Sequence, residues 1–211
     1  MGALQSYLND TTNPLDLIER LAERRDWSVD RTNDCEVTMV MGGGWSDLYV
    51  SLNWRDDLES LLVACTYDMK VPPARKDEVG RLLALINGQL FHGHFDMWQA
   101  DGSIVFRNNL VLSGGAVAND AQCETLIRLG IESCERYYPA VQYVCWAGQT
   151  ANAALESSLL ETMGEARALR SREPWFSWVP ARWAAQCLRA GSNPAPIQKK
   201  LRSLIHLRQL T

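Results

Sequence analysis

Hydrophobic and polar positions follow two different periods along this chain, and the switches between them mark its elements. Asn13-Pro14-Leu15-Asp16 opens with a helix-start pattern: a capping side chain, a proline at the first helical position and an acid in the first turn. Leu17, Ile18, Leu21 and Ala22 then fall on one helical stripe. Beyond Trp27 the period shortens. Residues 35–41 read as a strand, Gly42-Gly43-Gly44 breaks it, and 45–54 resumes with Leu48, Val50 and Leu52 on one face. After Arg55-Asp56-Asp57, residues 58–67 read as a third strand. The connections are too short for crossover helices, so the three strands form an antiparallel meander.

Pro72-Pro73 launches a second helix, with Val79, Leu82, Leu83, Ile86 and Leu90 at helical spacing. Two short strands follow, near 95–98 and 103–108, joined by Ala100-Asp101-Gly102. Asp-Gly is a hairpin signal because glycine accepts positive φ without strain. The triple glycine can share its torsions among neighbours, so Gly102 is expected to tolerate a side chain less well than Gly43. Asn119 and Gln122 have capping-box spacing, before a helix presenting Cys123, Leu126, Ile127, Gly130, Ile131 and Cys134. A last helix is expected over 151–163. The order α-βββ-α-ββ-α-α predicts an α+β fold in which helices pack on a five-stranded antiparallel sheet.

Composition narrows the class. The chain has 211 residues, 46% hydrophobic and 22% charged, which is globular and not disordered. No apolar run is long enough to span a bilayer, and no basic start leads into an apolar stretch, so no secretory signal is expected. Cysteines 35, 65, 123, 134, 145 and 187 form no CxxC pair; they read as reduced, mostly buried thiols of a cytoplasmic protein. The net charge of −4 is unevenly spread. Residues 167–211 carry nine Lys and Arg against the single acid Glu173, or +8, while the rest carries twelve basic and twenty-four acidic residues, or −12. An acidic body argues against nucleic acid. The basic segment suits an acidic surface, including the body itself.

Candidate chemistry is sparse. His92-Gly93-His94, with Asp96 beyond, has alternate-residue spacing for metal ligands on a strand. It follows a helix end, however, and no further ligand lies at a supporting spacing, so a helix-to-hairpin junction is the stronger reading. Gly42-Gly43-Gly44 lacks a following GK[ST] and does not open a helix, so it reads as a turn and not a phosphate cradle. No cysteine has a local catalytic signature. Asp56-Asp57 and Asp77-Glu78 lie at turns or helix starts, where acids are favoured anyway. No catalytic residue, cofactor or metal is assigned. Trp45, Trp54 and Trp98 remain as binding candidates, because large aromatics on strands serve sheet packing or interfaces.

One resemblance is specific. The helix leading to Leu85-Ile86-Asn87, then Gly93-His94-Phe95-Asp96, then the strand through Phe106-Arg107 to Leu112, resembles the YbjN family of bacterial proteins. Glu135-Arg136-Tyr137-Tyr138-Pro139-Ala140, residues 144–148 and Gly164-Glu165-Ala166 belong to the same pattern. The likeness covers about 10–166. It implies a fold similar to the chaperones of type III secretion, which dimerise and bind segments of other proteins. It also implies a sensory-transduction regulator without an established catalytic site. The implied function is a non-enzymatic, cytoplasmic, chaperone-like protein acting on an unidentified protein partner, as a homodimer. The alternatives are a small-molecule sensor lined by the tryptophans, or a hydrolase using His94 with Asp96 or a cysteine. His94 is expected to make a structural hydrogen bond.

Such proteins end near Ala166, whereas this chain continues with residues 167–211 as a basic extension, either a genuine appendage or an accident of the reading frame. Ile197, Leu201, Leu204 and Ile205 make it amphipathic if helical, so a membrane surface would be met only through this segment. The capped helices and the meander account for a whole domain without it, so it is expected to be dispensable for folding.

Overall fold

The computed structural model describes residues 13–158. Helix α1 (Pro14–Arg25) starts as its sequence dictates: the Asn13 side chain accepts the Leu15 amide at 3.0 Å. The strands β1 (Val29–Asn33), β2 (Glu36–Gly42), β3 (Asp47–Arg55) and β4 (Ser60–Lys70) form an antiparallel meander. Helix α2 (Lys76–Asn87) leads into the hairpin of β5 (His94–Met97) and β6 (Ser103–Val111). Helix α3 (Asp120–Cys145) follows, and residues 151–158 begin a last helix. The sheet order is β1-β2-β3-β4-β6-β5.

The sheet has six strands where the residue pattern predicts five. The extra one, β1, reads Val-Asp-Arg-Thr-Asn and shows no apolar alternation. It is an edge strand, held by its ladder to β2 and by Arg31, which reaches Asp16 and Glu19 of α1 at 2.6 Å each. Its pairing comes from backbone and charge, which hydrophobic periodicity does not register. The start of β4 also shifts. Asp56–Leu58 forms a short 3-10 turn, and Glu59 takes the left-handed region at φ 44°. The last helix is described only to 158, so the expected end at 163, the boundary at 166 and the segment 167–211 lie outside the described residues.

Strand parity sorts side chains to two faces. Val37, Met39, Met41, Leu48, Val50, Leu52, Leu61, Val63, Cys65, Tyr67, Phe95, Ile104 and Phe106 join one core cluster with the apolar stripes of α1, α2 and α3. Tyr67 stands at its centre. Its hydroxyl donates to the Cys134 carbonyl at 2.9 Å, and its ring meets those of Phe95 and Tyr138 at 6.2 and 5.2 Å. Burial drives its pKa well above the usual value. The capping box of α3 is present: Asn119 accepts the Gln122 amide at 2.9 Å, and Gln122 accepts the Asn119 amide at 3.0 Å.

Gly102 has φ +74°, as the Asp-Gly turn requires, and an added Cβ would sit 2.6 Å from the Val71 carbonyl oxygen. Gly43 is constrained for a different reason. Its φ is unexceptional, but an added Cβ would collide with the Glu135 carboxylate of α3 and the Ser46 carbonyl. The Gly44 amide donates to that same carboxylate at 2.9 Å. The triple-glycine hairpin is therefore wrapped on a helix side chain, and its torsions are not at liberty to redistribute.

Candidate functional site

The two histidines lie where α2 gives way to β5. Both are exposed, and neither makes a hydrogen bond among the described residues. The structural bond expected of His94 is made instead by Asn87. Its side chain accepts the Phe95 amide at 2.8 Å and donates to the Phe95 carbonyl at 3.0 Å, pinning the last residue of α2 to the edge strand. Gly93, at φ +69°, lies so close to the Phe106 ring and the Arg107 carbonyl that no Cβ would fit. Asp96 accepts the Met97 amide at 2.8 Å and faces Arg107 at 3.9 Å. Among the described residues, no group of three or more His, Cys, Asp or Glu is placed to hold a metal.

Three of the five described thiols, Cys123, Cys134 and Cys145, are not poised for nucleophilic chemistry. Cys65, Cys123, Cys134 and Cys145 are buried and Cys35 is exposed. Burial raises the pKa of Cys123 and Cys145 to about 11, and drives that of Cys134 well above the ordinary value. A thiol so raised stays protonated at neutral pH.

The three tryptophans do not share a surface. Trp45 is 40% exposed in the β2–β3 turn. Trp54 pairs with Leu61 at the far end of β3 and packs on the helix-side core. Between those ends β3 runs about 23 Å or more, at roughly 3.3 Å per residue. Trp98 follows β5 on the opposite edge, half-buried, with an indole N–H that has no hydrogen-bond partner among the described residues.

What the strands do assemble is the other face of the sheet. Register places Asp30, Thr38, Ser51, Ala64, Arg107 and His94 in one row across all six strands. The next row holds Val40, Tyr49, Thr66, Val105 and Asp96. Asp47 and Asp68 each lie one residue beyond the last paired positions, Leu48 and Tyr67, and at the other end Glu36 precedes Asn53, Leu62 and Asn109. The middle of this face is therefore built from short side chains, with carboxylates around it. Tyr49 registers that field: burial first, then the charges of Asp68 and Asp47, raise its pKa. Thr38, Ser51, Thr66 and Val105 are each less than a tenth exposed, yet they lie outside the core cluster and no described helix packs over them. Sequence inspection passes over these residues because each is unremarkable alone; the alternation that separates the two faces is the signal that carries them.

Comparison with known proteins gives the lineage. A family model described as "Putative bacterial sensory transduction regulator", YbjN, matches residues 14–143. No curated protein matches. The crystal structure of YbjN from E. coli is similar at a TM-score of 0.43 and 13% identity, covering 70% of this chain and 92% of that one. The crystal structure of the ExsC-ExsE complex is similar at a TM-score of 0.43 and 17% identity, covering 58% of this chain and 91% of the other. The matched span runs from the first turn of α1 almost to the end of α3, more than half of the sequence, and the chain belongs to the YbjN family.

Proposed function

We propose that this chain is a non-enzymatic, cytoplasmic regulatory protein that binds a segment of another protein on the sheet face over which no described helix packs, as a homodimer. The observation that carries the reading is the strip of Thr38, Ser51, Ala64 and Thr66, which crosses β2, β3 and β4 without a large side chain. Short residues leave depth for the side chains of an incoming segment, and the surrounding carboxylates supply orientation by charge. The family's description as regulators agrees with it. The raised thiol pKa values and the engagement of Asp96 with Arg107 and the Met97 amide support a role without catalysis. Phe91, 94% exposed just before the edge strand β5, supports self-association there.

Site-specific photocrosslinking in cells tests the docking face. A photoreactive residue at Ala64 or Asn53 should trap a discrete protein adduct, and Ala64→Arg should abolish the adduct formed from position 53. Equal trapping from Arg136, exposed on α3, would defeat the assignment. For self-association, light scattering should give twice the 23.7 kDa chain mass, falling towards one chain in Phe91→Asp. A monomeric parent protein would refute the dimer.

A further inference from the structure

We infer that the sheet is open to strand addition at one edge only, β1, and that this edge takes an extended cationic segment of another protein. The edge is separate from the sheet face proposed above. Hydrogen-bond direction alternates along an antiparallel strand, so a single bond fixes which residues face outward. The Trp98 amide donates to the Ser103 carbonyl at 2.9 Å, which turns the Phe95 and Met97 backbone away from β6. There those groups are already engaged. Asn87 satisfies both the amide and the carbonyl of Phe95, at 2.8 and 3.0 Å, and Asp96 accepts the Met97 amide at 2.8 Å. A strand added at β5 would have to break these bonds. At the opposite edge, the Trp54 amide donates to the Cys35 carbonyl at 2.9 Å, so Val37 and Met39 bond β3. Their partners in β1, Arg31 and Val29, therefore turn their backbone groups away from β2. No described residue bonds those outward N–H and C=O groups. The β1 edge thus presents donors and acceptors in strand geometry, the feature that strand addition uses.

Charge selects the occupant. Asp16 and Glu19, on the flank of α1 beside β1, share the single guanidinium of Arg31 at 2.6 Å each. Glu23 in α1, Asp26 in its left-handed cap and Asp34 in the β1–β2 turn are exposed, and make no ion pair among the described residues. Arg24 and Arg25 are drawn instead to Asp120 and Glu124 of α3, which leaves Arg20 as the free cation of α1 among the described residues. A second copy would bring these carboxylates against themselves, so pairing of β1 with β1 is opposed. A segment with Lys or Arg at alternate positions is drawn in. The register shift between Arg31 and Asn33 ends the open run, so the added ladder is short. Binding therefore needs the charges as well as the backbone.

The test uses the full chain, with amide exchange read by NMR. In the free protein the Val29 and Arg31 amides should exchange at least about tenfold faster than those of Phe95 and Met97, whose bonds shield them. The probe is a capped peptide of alternating valine and lysine, about eight residues long to match a strand. At low salt it should slow exchange at Val29 and Arg31 roughly tenfold and leave Phe95 and Met97 unchanged, with the effect lost at high salt. A valine–glutamate peptide keeps the backbone and reverses the charge; the valine–lysine peptide with every amide N-methylated keeps the charge but cannot donate. Neither should slow exchange. Glu23→Gln with Asp34→Asn should weaken the valine–lysine peptide roughly fivefold, as expected from losing two surface ion pairs, with the thermal melt unchanged. Val29 and Arg31 amides as slow as that of Phe95 in the free chain would mean that a second copy or the chain's own residues already cover the edge, and would overturn the inference. So would slowing at Phe95 and Met97, equal slowing by either control peptide, or no slowing up to about a millimolar of the probe.

Discussion

Asn87 carries more of the fold than either histidine beside it. Its side chain makes two bonds to the Phe95 backbone across the turn from α2 to β5, and it is half-buried. Asn87→Ala should cost about 1–3 kcal/mol, because it leaves two backbone groups of an edge strand without their partner. His92→Ala and His94→Ala, at exposed positions, should stay within about 0.5 kcal/mol. Urea titrations of the three variants decide, and a loss in His94→Ala equal to that of Asn87→Ala would refute the assignment. The glycines divide by cause. At Gly102 the obstacle is positive φ together with the Val71 backbone, and no second substitution relieves it. At Gly43 part of the obstacle is the Glu135 side chain, which can be removed. Gly43→Ala should therefore be less damaging in a Glu135→Ala background than alone, by about 0.5–3 kcal/mol of coupling, while Gly102→Ala should simply add to Glu135→Ala. Additive behaviour at Gly43 would contradict the clash.

At the scale of elements, long-range caps hold helix ends that local sequence leaves open. Glu78, in the first turn of α2, accepts the Ala151 amide at 2.7 Å and so caps the helix beginning at residue 151. The backbone bond from Ala151, followed by the hydrogen bond from Arg81, holds the Glu78 carboxyl below its ordinary pKa. A carboxyl lowered by folding stabilises the native state above the unfolded glutamate value, about 4.3, and this support is lost as pH falls through the lower folded value. Hydrogen exchange read by peptide mass spectrometry should show residues 151–158 losing protection first on acidification. Glu78→Gln should reproduce part of that loss at neutral pH. Unchanged protection at 151–158 in Glu78→Ala would show that core contacts of Ala151, Ala154 and Leu155 hold the helix without the cap.

For the whole molecule, one cluster joins the inner face of the sheet to the helices, so the described body should open as a unit. The cysteines report on this. At pH 8 an alkylating reagent should modify Cys35 readily and leave Cys65, Cys123, Cys134 and Cys145 untouched. With a pKa of about 11, Cys123 and Cys145 present roughly a thousandth of their thiol as thiolate at that pH, even before access is counted. Across a urea series the four should become reactive together, at the midpoint seen by circular dichroism. Early labelling of Cys145 would show that the end of α3 opens independently.

The chain by itself determined what depends on local chemistry and apolar period. The Asn13 cap, the Asn119 and Gln122 capping box, the Asp-Gly turn and the inner-face alternation of β2, β3 and β4 are each legible within a few residues. The motif around Asn87, Gly93 and Phe106 was legible as well, though not that the asparagine and not the histidine makes the bond. Tertiary structure alone decided what depends on partners distant in sequence. β1 exists because β2 and α1 receive it, Gly43 is confined by a helix 91 residues beyond its neighbour Gly44, and Glu78 caps a helix 73 residues away. The outer sheet face is the largest case. Thr38, Ser51, Ala64, Asp47 and Asp68 carry no motif, and only strand register makes them neighbours, because pairing turns positions far apart in the chain into adjacent side chains about 5 Å apart.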